Sequence, residues 1–225
     1  MVKGVYGQYV RLGLYLTGSR NPWKGQDMRP YQAVFIGTTA LVFAAIAAFI
    51  LYGGSGGGRG VAAIGGPFTL TDHTGAKRTD QNFRGKHMLV YFGYTFCPDV
   101  CPTALQVMTN AMDQMERDAE ARITPVFITI DPERDTVKQL ASYVDNFHPR
   151  LVGLTGTAEE IANAARAYRV YFGKSKETGG DVMDYLMDHS SIVFLMDPNG
   201  LYITHFTHAM QPEKMAAALT EKTGG

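Results

Sequence analysis

Apolar residues recur along this chain with two distinct periods, and the switches between them outline its elements. His87 to Tyr94, HMLVYFGY, is an unbroken apolar and aromatic run, as a strand buried on both faces requires. Ile123 to Asp131, ITPVFITID, is a second such run. Between them, PTALQVMTNAMDQMERDAEA spaces Leu105, Met108, Met112 and Met115 three and four apart, which predicts a helix with one inward stripe. Methionines on such a stripe fill core space, and they are not read as metal ligands.

Shorter patterns complete the order. FTLTDHTGAKRT, from Phe68, has β-forming runs around a turn at His73 to Gly75 and predicts a hairpin. TVKQLASYVDNF, from Thr136, predicts a helix, and LVGL, from Leu151, a short strand. Thr157 and Glu160 form a capping box that opens a helix through Arg169. SIVFLMD and LYITHF flank Pro198-Asn199-Gly200 as a second hairpin, and Pro212 suits the first turn of a final helix. Strands alternating with helices predict an α/β domain with helices on both sheet faces, an order that accommodates a thioredoxin-like fold.

A different pattern precedes this domain. Ala33 to Tyr52 reads AVFIGTTALVFAAIAAFILY, and no charge occurs between Arg29 and Arg59. A helix needs about 20 apolar residues to cross the hydrocarbon layer, so the run predicts one transmembrane helix over residues 33–52. A cleaved signal peptide is the competing reading, but its apolar core is shorter and closer to the start. Lys3, Arg11, Arg20, Lys24 and Arg29 against Asp27 make residues 1–32 basic, which places the N-terminus in the cytoplasm or the mitochondrial matrix. The domain beyond then faces the bacterial periplasm or the mitochondrial intermembrane space. Met28 is an alternative start.

Residues 53–66, GGSGGGRGVAAIGG, read as a flexible tether, and residues 67–225 as the globular domain. The whole chain is 225 residues with 21 Lys+Arg against 21 Asp+Glu, so its net charge offers no attraction for nucleic acid.

The chemistry concentrates in FGYTFCPDVCPTAL, Phe92 to Leu105, which holds both cysteines of the chain. Pro102 suits a first helical position, which puts Cys101 at the N-cap and Cys97 in the preceding loop. Near a helix N-terminus both sulfurs are favoured as thiolates. Cysteines at this spacing can close a disulfide or converge on one soft ion such as Cu(I), zinc or an iron-sulfur centre, and an ion needs a further ligand from elsewhere. A disulfide kept only for stability closes too short a loop to remove much chain entropy. The thioredoxin redox motif has two intervening residues, whereas this one has three.

Of six histidines, His73, His87 and His148 read as solvated or capping residues, and His205 and His208 have no nearby motif. His189 differs, standing at a loop-to-strand junction in YLMDHSSIVF after the polar, glycine-rich GKSKETGGDVMD. Ligand and ordinary histidine are evenly matched there on spacing. Asp131 and Asp135 of DPERDT, and Asp188 beside His189, are candidates to orient a ligand or guide a partner. The plainer reading of DPERDT is a turn with Thr136 as helix cap.

YTFCPDVCP, FITIDPERDT, LVGLTGT, ARAYRVYF and YLMDHSSIVFLMDPNG together resemble the SCO/SenC family of membrane-tethered copper chaperones for cytochrome c oxidase. The resemblance spans Gly66 to about Phe206. It implies a thioredoxin-like fold and a copper site, Cu(I) or Cu(II), formed by Cys97, Cys101 and His189. It also implies delivery to the dinuclear copper centre of oxidase subunit II, which requires a copper donor and a thioredoxin-like reductant and allows a homodimer.

On this reading the protein is a carrier rather than an enzyme. The alternative is a thiol-disulfide oxidoreductase that keeps the copper-ligating cysteines of subunit II reduced. His189 separates the two, because exchange chemistry does not need it. Peroxidases of the same fold fit poorly: Trp23 is the only tryptophan and lies before the span, and the peroxiredoxin P-x-x-x-T-x-x-C pattern is unmatched.

Overall fold

A computed structural model of the protein describes residues 38–39, 41–44, 46–48, 63–175 and 185–224. The chain divides into two compact units, Met1–Gly60 and Val61–Gly225. In the first, the described residues are helical and leave Leu41, Val42, Phe43 and Ile46 exposed. The rest of the expected span, residues 1–32 and nearly all of the tether lie outside the described residues. Among those described, no helix is long and apolar enough to cross a membrane.

The second unit is a mixed α/β fold of the thioredoxin-like kind. Its elements are β1 (Thr69–Asp72), β2 (Lys77–Thr79), a 3-10 turn (Asp80–Phe83), β3 (His87–Gly93), α1 (Val100–Asp113), α2 (Arg117–Glu120), β4 (Ile123–Thr129), α3 (Val137–Val144), β5 (Val152–Thr155), α4 (Ala158–Tyr168), β6 (Phe172–Lys174), β7 (Met187–His189), β8 (Ile192–Met196), β9 (Tyr202–Thr207) and α5 (Pro212–Thr223).

Seven strands make one sheet in the order β2-β1-β5-β4-β3-β8-β9, while β6 and β7 pair separately. β3 lies at the heart of it, parallel to β4 and antiparallel to β8, with Tyr91 opposite both Phe127 and Val193. Met88 to Gly93 are all buried, as the unbroken apolar run demands.

Strand alternation sends Tyr91 and Phe92 to opposite faces. On the Tyr91 side, the ring of Phe127 packs against Tyr143 of α3, and Gly153 lies tight against Leu140 and Val144 of the same helix. Phe92 and Phe194 meet Tyr168 of α4 on the other side. Helices therefore cover both faces, as expected.

Local signals hold at the helix ends. Thr157 and Glu160 close the capping box of α4, Thr136 caps α3, and Pro212 opens α5. Arg169 ends α4 in the left-handed region, at φ 58°.

Three expectations are corrected. The helix predicted from Pro102 to Ala121 breaks after Asp113, because Glu116 is extended, and this lets Met115 and Ala119 both reach the core. Cys101 is not the N-cap: Asp99 is, so Cys101 lies inside the first turn. The first helical N–H groups lack helical partners in any case, so Pro102 costs nothing two positions further in, as the third helical residue. His148 is buried rather than solvated, its Nδ1 accepting the Arg150 N–H at 3.2 Å and its Nε2 lying 3.2 Å from Glu120.

Candidate metal centre

Parallel strands β3 and β4 end side by side, with Gly93 opposite Thr129. β8 runs the other way, so the chain entering it passes the same sheet end. Three loops thus converge where ligands bind in open α/β sheets, beyond the carboxyl ends of the strands. They carry Cys97 and Cys101, the DPERDT turn, and His189.

Cys101 is fully buried and Cys97 half-buried, and both are free thiols. The Cys101 N–H, one of the helix-start donors, points at Cys97 Sγ at 3.4 Å. Cys101 Sγ in turn lies 3.3 Å from His189 Nε2. The His189 ring stands edge-on between Tyr91 and Tyr94, each with its ring centre 6.1 Å away. Nδ1 of that ring lies 3.3 Å from the Ser190 carbonyl, which anchors the ring on its far side.

The two sulfurs are electrostatically unequal. Hydrogen bonding from Cys101 pulls the Cys97 thiol down to about 3 against the opposing effect of burial, helped by His189 and by the backbone N–H groups of Asp99 and Cys101. Donating to Cys97, together with burial, pushes Cys101 up. One thiolate near the surface therefore faces one buried thiol.

Gly93 makes room for this arrangement. A Cβ there would lie 2.8 Å from Cys101 Sγ and 3.0 Å from both Phe127 and Tyr91.

The three groups meet as hydrogen-bonding partners and do not yet point at a common centre. Among the described residues, no three His, Cys, Asp or Glu groups are already disposed to hold a metal ion. For Cys101 and His189, closing on one asks for little movement. Bond lengths of about 2.3 Å to sulfur and 2.0 Å to nitrogen put the two donors roughly 3.6 Å apart, a few tenths of an ångström beyond the present contact.

The acids have separate duties. Asp135 is buried and accepts from Thr95 N–H (3.0 Å), Thr95 Oγ1 (2.6 Å) and Thr129 Oγ1 (2.6 Å), tying the cysteine loop to the end of β4. Burial raises its carboxyl despite those bonds. Asp131 pairs with Arg134 Nε and accepts from Tyr185 Oη at 2.7 Å. Asp188 is exposed, since strand alternation turns it away from its neighbour His189.

Sequence reasoning missed Arg134 and Tyr185. Arg134 Nη1 donates to the Tyr185 carbonyl at 2.9 Å, and its guanidinium lies 3.7 Å from the Tyr185 ring centre and 4.8 Å from that of Phe96. This clamp joins the DPERDT turn to the chain entering β7, the strand that ends in His189. An arginine inside an otherwise plain turn motif was the only signal for it. Residues 176–184, most of the glycine-rich stretch before His189, lie outside the described residues.

Fold and site define a class: a thioredoxin-like protein whose paired cysteines meet a distant histidine at the carboxyl end of the sheet. Residues 56–224 match the SCO1/SenC family model. The chain belongs to that family. It is 44% identical over 161 residues to the human mitochondrial SCO1 homolog, covering 71% of this chain and 53% of that protein. The chain thus spans about half the length of that relative.

Among solved structures, copper-bound ScoI of Arabidopsis thaliana matches with a TM-score of 0.66 at 41% identity, covering 71% of this chain and 98% of that one. Copper-bound ScoI of Bradyrhizobium japonicum matches at 0.64 and 43%, covering 71% and 99%.

Proposed function

We propose that this protein is a membrane-anchored copper chaperone that binds copper through Cys97, Cys101 and His189 and delivers it to the dinuclear copper site of cytochrome c oxidase subunit II. The observation that carries the reading is the meeting of two sulfurs and one imidazole from segments far apart in the chain. Soft sulfur donors with an imidazole suit Cu(I), and three ligands leave a side open for an acceptor to displace the ion. Copper-bound structures of two relatives above 40% identity support the choice of metal.

Residues 1–32 lie on the cytoplasmic or matrix side in this reading, residues 33–52 anchor the chain, and residues 53–66 tether a copper-binding domain of residues 67–225. The apolar side chains exposed on the described part of the anchor support it. The domain works in the periplasm or intermembrane space, receives copper from a donor and is kept reduced by a thioredoxin-like partner.

The test is copper stoichiometry and affinity of the reduced full chain in detergent. One ion bound by the wild type, lost in Cys97→Ala and Cys101→Ala and weakened in His189→Ala, is the expected result. Wild-type affinity in either cysteine variant sinks the assignment. A second reading, thiol reduction of the subunit II cysteines, is favoured by the pairing of an accessible low-pKa thiolate with a buried thiol. It moves ahead if His189→Ala binds copper as well as the wild type does.

A further inference from the structure

A cavity of about 340 Å³ opens between the turn of the β1–β2 hairpin and the starts of β4 and β5, at Thr124 and Val152. The metal centre lies beyond the other end of those strands, so the two are separate. His73, Arg78, Asn82 and Lys86 line the cavity, and Asp72 is the only acid among its lining residues.

The acceptor atoms of these side chains are already used inside the fold. His73 is pinned to β5 twice: its N–H donates to the Gly153 carbonyl at 2.9 Å, and its Nδ1 accepts the Gly153 N–H at 3.1 Å. A ring nitrogen that accepts holds no proton, so Nε2 carries one and is a donor. Asn82 Oδ1 accepts the Thr79 N–H at 2.7 Å, which leaves its Nδ2 as a donor. Both Asp72 oxygens are taken, Oδ1 by the N–H groups of Thr74 and Ala76 and Oδ2 by Arg78 Nε. Arg78 makes that pair through Nε, so the two terminal nitrogens of its fork remain as donors. Lys86 is exposed and makes no ion pair among the described residues.

We propose that this cavity binds a phosphoryl group, with the Arg78 fork and Lys86 on its charged oxygens and His73 Nε2 and Asn82 Nδ2 as further donors. A guanidinium oriented by a carboxylate on Nε presents its terminal N–H groups as a pair, which matches two oxygens of one phosphate. Asp72 balances the charge of Arg78, so Lys86 supplies the uncompensated positive charge that draws an anion. A phosphoryl group offers three acceptor oxygens where a carboxylate offers two, and four donor side chains suit the former.

The cavity exceeds a bare phosphate ion and leaves room for an attached organic group. That group has two sources, a soluble phosphate ester and a phospholipid head. The chain enters the domain at the same end of the sheet: a Cβ on Gly65 would run into Met196 and lie 3.5 Å from the Gly200 carbonyl oxygen. Either ligand would leave the metal centre open at the opposite end. The inference goes beyond the copper reading and does not rest on it.

The experiment titrates inorganic phosphate into the metal-free full chain in nonionic detergent, at constant ionic strength, and reads binding by calorimetry. One saturable site is expected in the wild type, weakened roughly tenfold in Lys86→Glu by loss of a charged donor. Lys138→Glu, an exposed lysine on α3, controls for bulk charge and is expected to bind as the wild type does. No saturable binding by the wild type, or equal affinity in Lys86→Glu, overturns the proposal. Both lysines are exposed, so folding is not at stake in either variant. Glycerol phosphate and glycerophosphoglycerol, a phospholipid head without its chains, then separate the sources. Tighter binding of the monoester assigns a soluble phosphate ester, and tighter binding of the diester assigns a lipid head. Copper is absent throughout, so failure here leaves the proposed function standing, and the reverse holds.

Discussion

Cys101 Sγ and His189 Nε2 stand 3.3 Å apart across 88 residues of sequence. The contact is a hydrogen bond as it stands and needs only slight widening to become two bonds to one ion. A serine hydroxyl can make the hydrogen bond but is a poor ligand for a soft metal. Cys101→Ser is accordingly expected to unfold at nearly the wild-type temperature while losing Cu(I) in a competition titration. Retention of wild-type Cu(I) affinity would show that this contact has nothing to do with metal.

Gly93→Ala tests the packing behind the site. The added methyl meets Cys101 Sγ at 2.8 Å and two aromatic rings at 3.0 Å, in a core too tight to yield freely. Overpacking of this kind costs about 1–3 kcal/mol. A lower unfolding midpoint is expected, with weakened copper binding in the protein that remains folded, measured by denaturant titration and metal competition.

Arg134→Lys tests the clamp. Lysine keeps the charge beside Asp131 but loses the planar fork that donates to the Tyr185 carbonyl and stacks on its ring. Faster amide exchange over residues 185–189, with β3 and β4 unchanged, is the expected outcome. Unchanged exchange there would mean that the β6–β7 pairing alone holds the His189 strand.

Asp72, far from the site, provides a pH test of stability. Burial opposes its charge, but Thr74 Oγ1 (2.6 Å), Arg78 Nε (2.7 Å) and the N–H groups of Ala76 and Thr74 together hold its carboxyl well below the ordinary value of 3.8. A depressed folded-state value stabilises the protein above the unfolded value, and that contribution is lost as pH falls below it. Asp72→Asn is expected to destabilise the domain by about 1–3 kcal/mol at pH 7. The gap from wild type should narrow below about pH 4, as urea titrations at several pH values would show; a gap independent of pH would contradict it.

What the sequence by itself determined is whatever rests on neighbours along the chain. Buried strands β3 and β4 announce themselves as apolar runs, the caps at Thr136 and Thr157 act within one helical turn, and Cys97 and Cys101 share one short motif. His189 was singled out by its polar approach and by family resemblance, and spacing alone left its role even.

The tertiary structure decided the rest. Strands β6 and β7 are three residues each, too short to show alternation, and they form only because they pair with each other across the stretch between them. DPERDT reads locally as a turn with a cap, and it is one. Only the folded sheet end turns Asp135 toward Thr95 and brings Arg134 to Tyr185, because a buried charge takes up whichever partners the surrounding loops deliver. The need for glycine at position 93 arises in the same way, from a sulfur on the next helix, a spacing no local pattern records.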